Sequence, residues 1–300
     1  MKTLTISLAA ATALTANVAS AGLMYLNLPD NSYDAGRFIG APDANTMTGT
    51  FSEFGYSQLL ATSIYDFTDG SVAGSFFDTN DPATLASYGI PTSGTALDGV
   101  STVDLVMPNC PLGQCDIDAL SPLVPPLGTD NEGFLQTWDL QVEYTFYGDL
   151  DASGPTYTSG TFDVYFNDVN DDTNDRLVLT GELTGSVLSG ANLDLLFDIT
   201  FVVDDFLFIQ DDNGVFVDAF DKLSAGGTPT LALDTNVNPP IPDPSELLLV
   251  AGPGGDPAAV RQTTLDGSIT GTIPEPATLG LLGAGLLGIG FAGSRRRKHA

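Results

Sequence analysis

The chain has 300 residues, 33 of them glycine and 19 proline, and sets nine lysines and arginines against 38 aspartates and glutamates, a formal net charge of −29. That excess of anions excludes nucleic acid and anionic lipid as partners and favours divalent cations or polycations. The single histidine is His299, so histidine-dependent nucleophilic catalysis and histidine-ligated zinc or redox metals are excluded for everything before it.

The first element is a signal peptide over residues 1–21. Met1-Lys2-Thr3 opens it, an apolar stretch from Leu4 to Ala16 follows, and Ala19 and Ala21 supply small residues at −3 and −1 of a cleavage site. Cleavage leaves Gly22 as the new first residue, which implies the Sec translocon and signal peptidase as partners. Residues 22–273 form an extracytoplasmic domain that keeps only Arg37, Arg176, Lys222 and Arg261 against 37 anions, a net charge of −33. Glutamate appears there only at Glu53, Glu132, Glu143, Glu182 and Glu246; the rest is aspartate, a residue of turns and caps rather than helices.

Ser52 to Asp66 and Val100 to Met107 read as strands, with Asp78 to Pro82 and Gly89-Ile90-Pro91 as turns and Ala83 to Tyr88 as a short helix. Pro108 to Pro126 is proline-rich, and an internal boundary is expected near residues 108–132. Cys110 and Cys115 lie in it at a C-x4-C spacing, which in an oxidising compartment reads as a local disulfide and not as the C-x-x-C of a thiol oxidoreductase. Leu140, Val142, Tyr144 and Phe146 alternate with polar neighbours, as do Phe162, Val164 and Phe166: two half-buried strands. Trp138, at the start of the first, is expected in the core. Leu177 to Leu188 is a third strand, with Gly181 and Gly185 marking a bend or bulge. Leu193 to Ile209 is a long run with Phe197, Ile199, Phe201 and Val203 on one face, interrupted at Asp204-Asp205. Asp212-Asn213-Gly214 is a hairpin turn. Asn238 to Pro244 is a stiff break, and a last strand pair follows near Glu246–Ala251 and Val260–Ile273. Several strands between polar turns predict an all-β fold, an antiparallel β-sandwich.

The tail over residues 274–300 has three parts. Pro274, Glu275 and Pro276 come first. An uncharged apolar run over 277–293 is about as long as the shortest membrane-spanning helices. The basic end, 294–300, holds Arg295, Arg296, Arg297 and Lys298, which resist translocation. These parts predict a single membrane helix with a cytoplasmic basic end. In order and content they resemble the PEP-CTERM sorting signal. That resemblance implies recognition and cleavage by exosortase, a transient inner-membrane intermediate, and delivery to the cell surface or extracellular matrix. The segment Gly160 to Gln210, with Gly160-Thr161-Phe162-Asp163-Val164-Tyr165-Phe166 and Leu179-Thr180-Gly181-Glu182-Leu183-Thr184-Gly185, is also similar to flocculation-associated proteins that carry this tail. That similarity implies a role in cell aggregation.

One cation site stands out in the domain. Asp168, Asn170, Asp172 and Asn174 alternate oxygens as in the first half of a calcium loop, while Thr173 and Leu179 stand where an EF-hand needs glycine and a bidentate glutamate. The expected function is a non-enzymatic surface or matrix protein that supports exopolysaccharide-associated aggregation, with biofilm or floc formation as the outcome and divalent cations bridging acidic surfaces. It has no catalytic residues and no cofactor beyond calcium. Two alternatives remain. A carbohydrate-binding module predicts an exposed aromatic strip. A histidine-independent carboxylate hydrolase predicts a cleft with two carboxylates.

Overall fold

The computed structural model describes residues 22–34, 45–90, 119–123, 132–134, 137–171, 175–237, 239–243, 245 and 247–274. The expected cleavage residues Ala19 and Ala21, the cysteines Cys110 and Cys115, the strand over 100–107, Asp172 and Asn174 lie outside the described residues. So do Glu275, Pro276, the expected membrane helix over 277–293 and the cations at 295–298. Among the described residues no helix is long and apolar enough to cross a membrane.

The strands in chain order are β1 (Met24–Leu26), β2 (Glu53–Asp66), β3 (Gly74–Thr79), β4 (Ala119–Leu123), β5 (Trp138–Asp151), β6 (Gly154–Asp168) and β7 (Arg176–Ser189). They continue with β8 (Asn192–Val202), β9 (Leu207–Gln210), β10 (Phe216–Asp218), β11 (Thr230–Asn236), β12 (Leu248–Ala251) and β13 (Pro257–Thr272). Two one-turn-and-a-half helices, α1 (Pro82–Ser87) and α2 (Ala219–Ser224), begin on aspartate caps. Asp81 accepts from the amides of Ala83 and Thr84, and Asp218 accepts from that of Phe220.

Among the described residues every ladder between named strands is antiparallel, as the alternation predicts, but the two facing sheets of a sandwich are replaced by one sheet that curls and closes. Its pairings run β2–β3–β5–β6–β7–β8–β11–β13 and then from β13 back to β2. β4 pairs with both β2 and β5, continuing the position that β3 occupies in the wall, and β12 pairs with the first residues of β13. Closure leaves eight positions around a barrel-like ring. Its physical cause is the series of register shifts between β5 and β6, β6 and β7, β7 and β8, and β13 and β2. Each adds a residue to one strand, bends it and increases its twist.

These shifts also correct the reading of single faces. In β8 the partner of Gly181 is Ile199 and that of Thr180 is Phe201, so Thr200 is the extra residue. Parity flips there: Phe197, Ile199 and Val202 are buried, whereas Phe201 is 42% exposed. Asp204-Asp205 does end the strand, with Asp205 in the left-handed region at φ 59°. In β2, inward residues change from Phe54 and Tyr56 to Ala61 and Tyr65 across the shift opposite Thr263/Leu265. Asp78 and Thr79, expected in a turn, are the last residues of β3.

One pole of the ring is packed solid. Trp138 is fully buried, stacks on Phe166 at 5.6 Å, meets Phe134 edge-on at 5.0 Å, and donates its indole N–H to the Glu132 carbonyl at 2.8 Å. A small sheet, β1–β9–β10, covers this pole. Its inner residues Met24, Leu26, Leu207 and Ile209 are buried, and its other face carries Tyr25 stacked on Phe208 at 4.6 Å. The Gly22 amide donates to the Gly271 carbonyl near the end of β13 at 3.1 Å. On the outside of the wall, α1 seats Leu85 among Ile64, Ile90, Ala258 and Val260 in a separate apolar cluster.

The aspartates do the turn work expected of them. Asp30, Asp66, Asp69, Asp151, Asp168, Asp211 and Asp243 each accept from the backbone N–H two residues on. A glutamate, one methylene longer, does not close that ring with the same geometry, which accounts for the scarcity of glutamate.

Candidate binding cavity and sorting tail

The other pole is hollow. A cavity of about 310 Å³ opens there, lined from β2, β3, β5, β6, β8, β11 and β13. Its walls are aromatic: Tyr56, Tyr65, Phe76, Tyr144, Phe146, Tyr157, Phe162 and Phe197 all face it. Val237, Pro240 and Arg261, each partly exposed, stand at its rim, where Arg261 Nη1 donates to the Pro239 carbonyl at 3.0 Å.

Polar groups reach the cavity in one cross-strand row. Asp78 of β3 is paired with Ser63 of β2, Ser63 with Arg261 of β13, and Asp78 on its other side with Phe146 of β5. Asp78 Oδ2 accepts from the Tyr157 hydroxyl. Asp78 Oδ1 is shielded from solvent and accepts no hydrogen bond. Burial pushes the Asp78 carboxyl up to about 6; the Tyr157 and Ser63 hydroxyls and the Arg261 charge pull the other way and are outweighed. Burial, then the Asp78 charge, holds the Tyr157 hydroxyl well above the usual phenol range, and burial raises Tyr65 to about 12. Deeper in, Tyr56 and Tyr144 both donate to Gln58 Oε1, at 2.8 and 2.6 Å, so these two hydroxyls are held by the wall. Chemically the site offers aromatic surface, one unmet acceptor and one cation at the rim. Asp78 is the sole carboxylate among the described lining residues, so the pair needed for carboxylate hydrolysis is not assembled here.

Glycine makes room for this arrangement. Gly160, at φ 153°, faces Phe146 across β5–β6, and a Cβ there would sit 2.4 Å from the Thr145 carbonyl oxygen and 2.7 Å from the Phe146 ring. At Gly181 a Cβ would sit 2.5 Å from the Phe162 ring.

The residues singled out from sequence are scattered. Asp168, of the calcium-like loop, lies at the packed pole. Its Oδ2 accepts from the Tyr33 hydroxyl at 3.1 Å, its Oδ1 from the Asn170 amide at 2.9 Å, and its own amide donates to Asp175 at 3.0 Å. Asn170 is exposed. Among the described residues no group of three or more histidine, cysteine, aspartate or glutamate side chains is arranged to hold a metal. Trp138 is core, as expected, and is closed to any sugar. Aromatic side chains reach the surface together at Phe77, Tyr88 and Tyr147, with Phe77 5.9 Å from each of the other two, beside a groove of about 370 Å³, and at Tyr25, Phe208 and Phe216 on the outer face of the small sheet.

Sequence reasoning missed Asp78 and Arg261. Arg261 had a signal, being one of four cations in 252 residues and standing inside a strand. Asp78 had none, because Asp78-Thr79-Asn80-Asp81-Pro82 has the composition of a turn.

Gly22 and Pro274 are the tail and cleavage residues that the structure does describe. β13 ends at Thr272, whose hydroxyl is 2.6 Å from that of Thr230; Ile273 is buried, and Pro274 follows at the packed pole. Residues 272–297 match the family model of the PEP-CTERM protein-sorting motif. Comparison with curated proteins and with solved structures gave no match. The match begins on the last residue of the barrel wall and runs through Pro274, Glu275 and Pro276 into the basic end; the chain carries a PEP-CTERM sorting motif, which indicates an exported protein sorted by exosortase.

Proposed function

We propose that the exported domain is a non-enzymatic surface or matrix protein that promotes exopolysaccharide-associated aggregation, with divalent cations bridging its acidic exterior to other polyanions. The observation that carries this reading is the net charge of −33 between residues 22 and 273. Hydrogen bonds from Thr68, Val215 and Ser245 hold three of its turn aspartates, Asp66, Asp211 and Asp243, below the usual carboxylate range. Such a surface repels itself at low ionic strength and associates through Ca²⁺ or Mg²⁺. Cells producing the protein are expected to sediment faster than cells lacking the gene, and a chelator is expected to abolish the difference. Equal sedimentation of the two strains in millimolar Ca²⁺ would remove the aggregation role.

A second reading, carbohydrate binding, is favoured by the Phe77–Tyr88–Tyr147 surface cluster, since exposed rings stack on sugar faces. Tyr147, 52% exposed, is the ring to test: Tyr147→Ala is expected to weaken retention on immobilised exopolysaccharide if this surface holds sugar.

A further inference from the structure

The hollow pole has no part in an aggregation role that works through surface charge. A protein whose core needed only to be stable would fill this space with the same aromatic and aliphatic packing that fills the packed pole, and would not aim a carboxylate into it. We propose that the cavity is a binding site for a small uncharged molecule with an apolar body and a single hydrogen-bond donor, which lies against the aromatic wall and donates to Asp78 Oδ1.

Three observations converge on that class. The volume, about 310 Å³, is at the small end of ligand pockets. The wall is made of rings and aliphatic side chains, with the tyrosines Tyr56, Tyr144 and Tyr157 already donating to protein acceptors, so the body that fits is apolar. Asp78 Oδ1 is shielded and unmet, so the head that fits brings a donor. The charge of the head follows from the cross-strand row. A cationic head at Asp78 would face Arg261 two strands away in the same row, and an anionic head would face the Asp78 carboxylate itself. A neutral N–H or O–H meets neither objection. The rim position of Arg261 and Pro240 places entry at the hollow pole.

The test uses the purified exported protein and a fluorescent probe of the stated class, N-phenyl-1-naphthylamine, which is neutral and has one N–H. Its fluorescence is expected to rise saturably with one site per chain. 1-Phenylnaphthalene, with no N–H, is expected to displace it about tenfold less well than unlabelled molecules of similar size that retain a donor. Asp78→Asn keeps an oxygen for Tyr157 but turns an N–H₂ toward the cavity, and is expected to weaken the probe about tenfold. Ala61→Phe, which fills the cavity from β2, is expected to abolish binding, while Phe201→Ala on the outer wall leaves it unchanged. A linear, non-saturating response, or saturable binding insensitive to Ala61→Phe, would overturn the site. Equal displacement by 1-phenylnaphthalene together with full binding to Asp78→Asn would overturn the role of Asp78. Because the probe titration reads neither cells nor cations, its outcome is independent of the aggregation test.

Discussion

The two poles of the barrel are built from the same strands and the same residue types, yet one is solid and the other hollow. At the packed pole Trp138, Phe134, Phe166 and the inner face of the β1–β9–β10 sheet fill the ring. At the hollow pole nothing equivalent enters from among the described residues, and Tyr65, Phe76, Tyr144, Phe146 and Tyr157 line a space instead of closing it. The difference does not lie in hydrophobicity. It lies in whether a second layer of apolar side chains is supplied from outside the wall, and a three-stranded sheet supplies it at one end only. Stability should therefore concentrate at the packed pole, and the groups that cost stability should collect at the other.

The largest effect expected from that contrast is at Trp138. Trp138→Ala removes a fully buried ring and its hydrogen bond to the Glu132 carbonyl, and should cost about 4 kcal/mol in urea unfolding. A loss no larger than that from a cavity-lining truncation such as Phe76→Ala would erase the distinction between the poles. Next is Gly181→Ala between them, where the new Cβ meets the buried Phe162 ring; about 2 kcal/mol of destabilisation is expected by the same measurement.

Asp78 sharpens the comparison with the opposite sign. Its folded pKa of about 6 lies above the ordinary value of 3.8, so between about pH 4 and 6 the folded state holds a proton the unfolded state has lost. Stability then falls as pH rises through that window, and the full cost persists above it. Asp78→Asn is expected to stabilise the protein by about 1–3 kcal/mol at pH 8 and by little at pH 4, read from melting curves at both. Equal effects at the two values would mean that the carboxylate carries no burial cost. Asp81→Ala, on the outer wall, should give the smallest change, about 1 kcal/mol from loss of the α1 cap. Hydrogen bonds from Thr84 and Ala83 hold the Asp81 pKa down, so that contribution is present at neutral pH and lost on acidification through its folded pKa.

Much of the wall was legible because its strands keep strict alternation over long runs. Leu140 to Phe146 and Phe162 to Phe166 face inward as read, Trp138 is core, and the turn at Asp212-Asn213-Gly214 joins β9 to β10. What alternation could not carry is the effect of an added residue. Gly181 and Gly185 mark the two register shifts of β7 against β8 but not that Thr200 is the extra residue that flips the face of everything after it in β8, and the shift in β2 that turns Ala61 and Tyr65 inward has no compositional mark. Closure was illegible for a related reason. The bond between β2 and β13 joins residues about 200 positions apart, and local patterns hold no record of it. The cavity site depends on both, because Asp78, Ser63 and Arg261 share a row only once the ring has closed.

The position of residue 274 has one more consequence. The chain leaves the wall after Ile273 at the packed pole, beside Gly22, which is bonded to Gly271. Whatever grips the sorting motif therefore grips the molecule by its rigid end, and the cavity mouth is turned away from the hand that holds it. Among the described residues the last paired residue of β13 is Thr272, so a cut beyond Pro274 severs none of the ladder hydrogen bonds described for the barrel. A tether attached there could be lost without unpairing any described strand of the barrel.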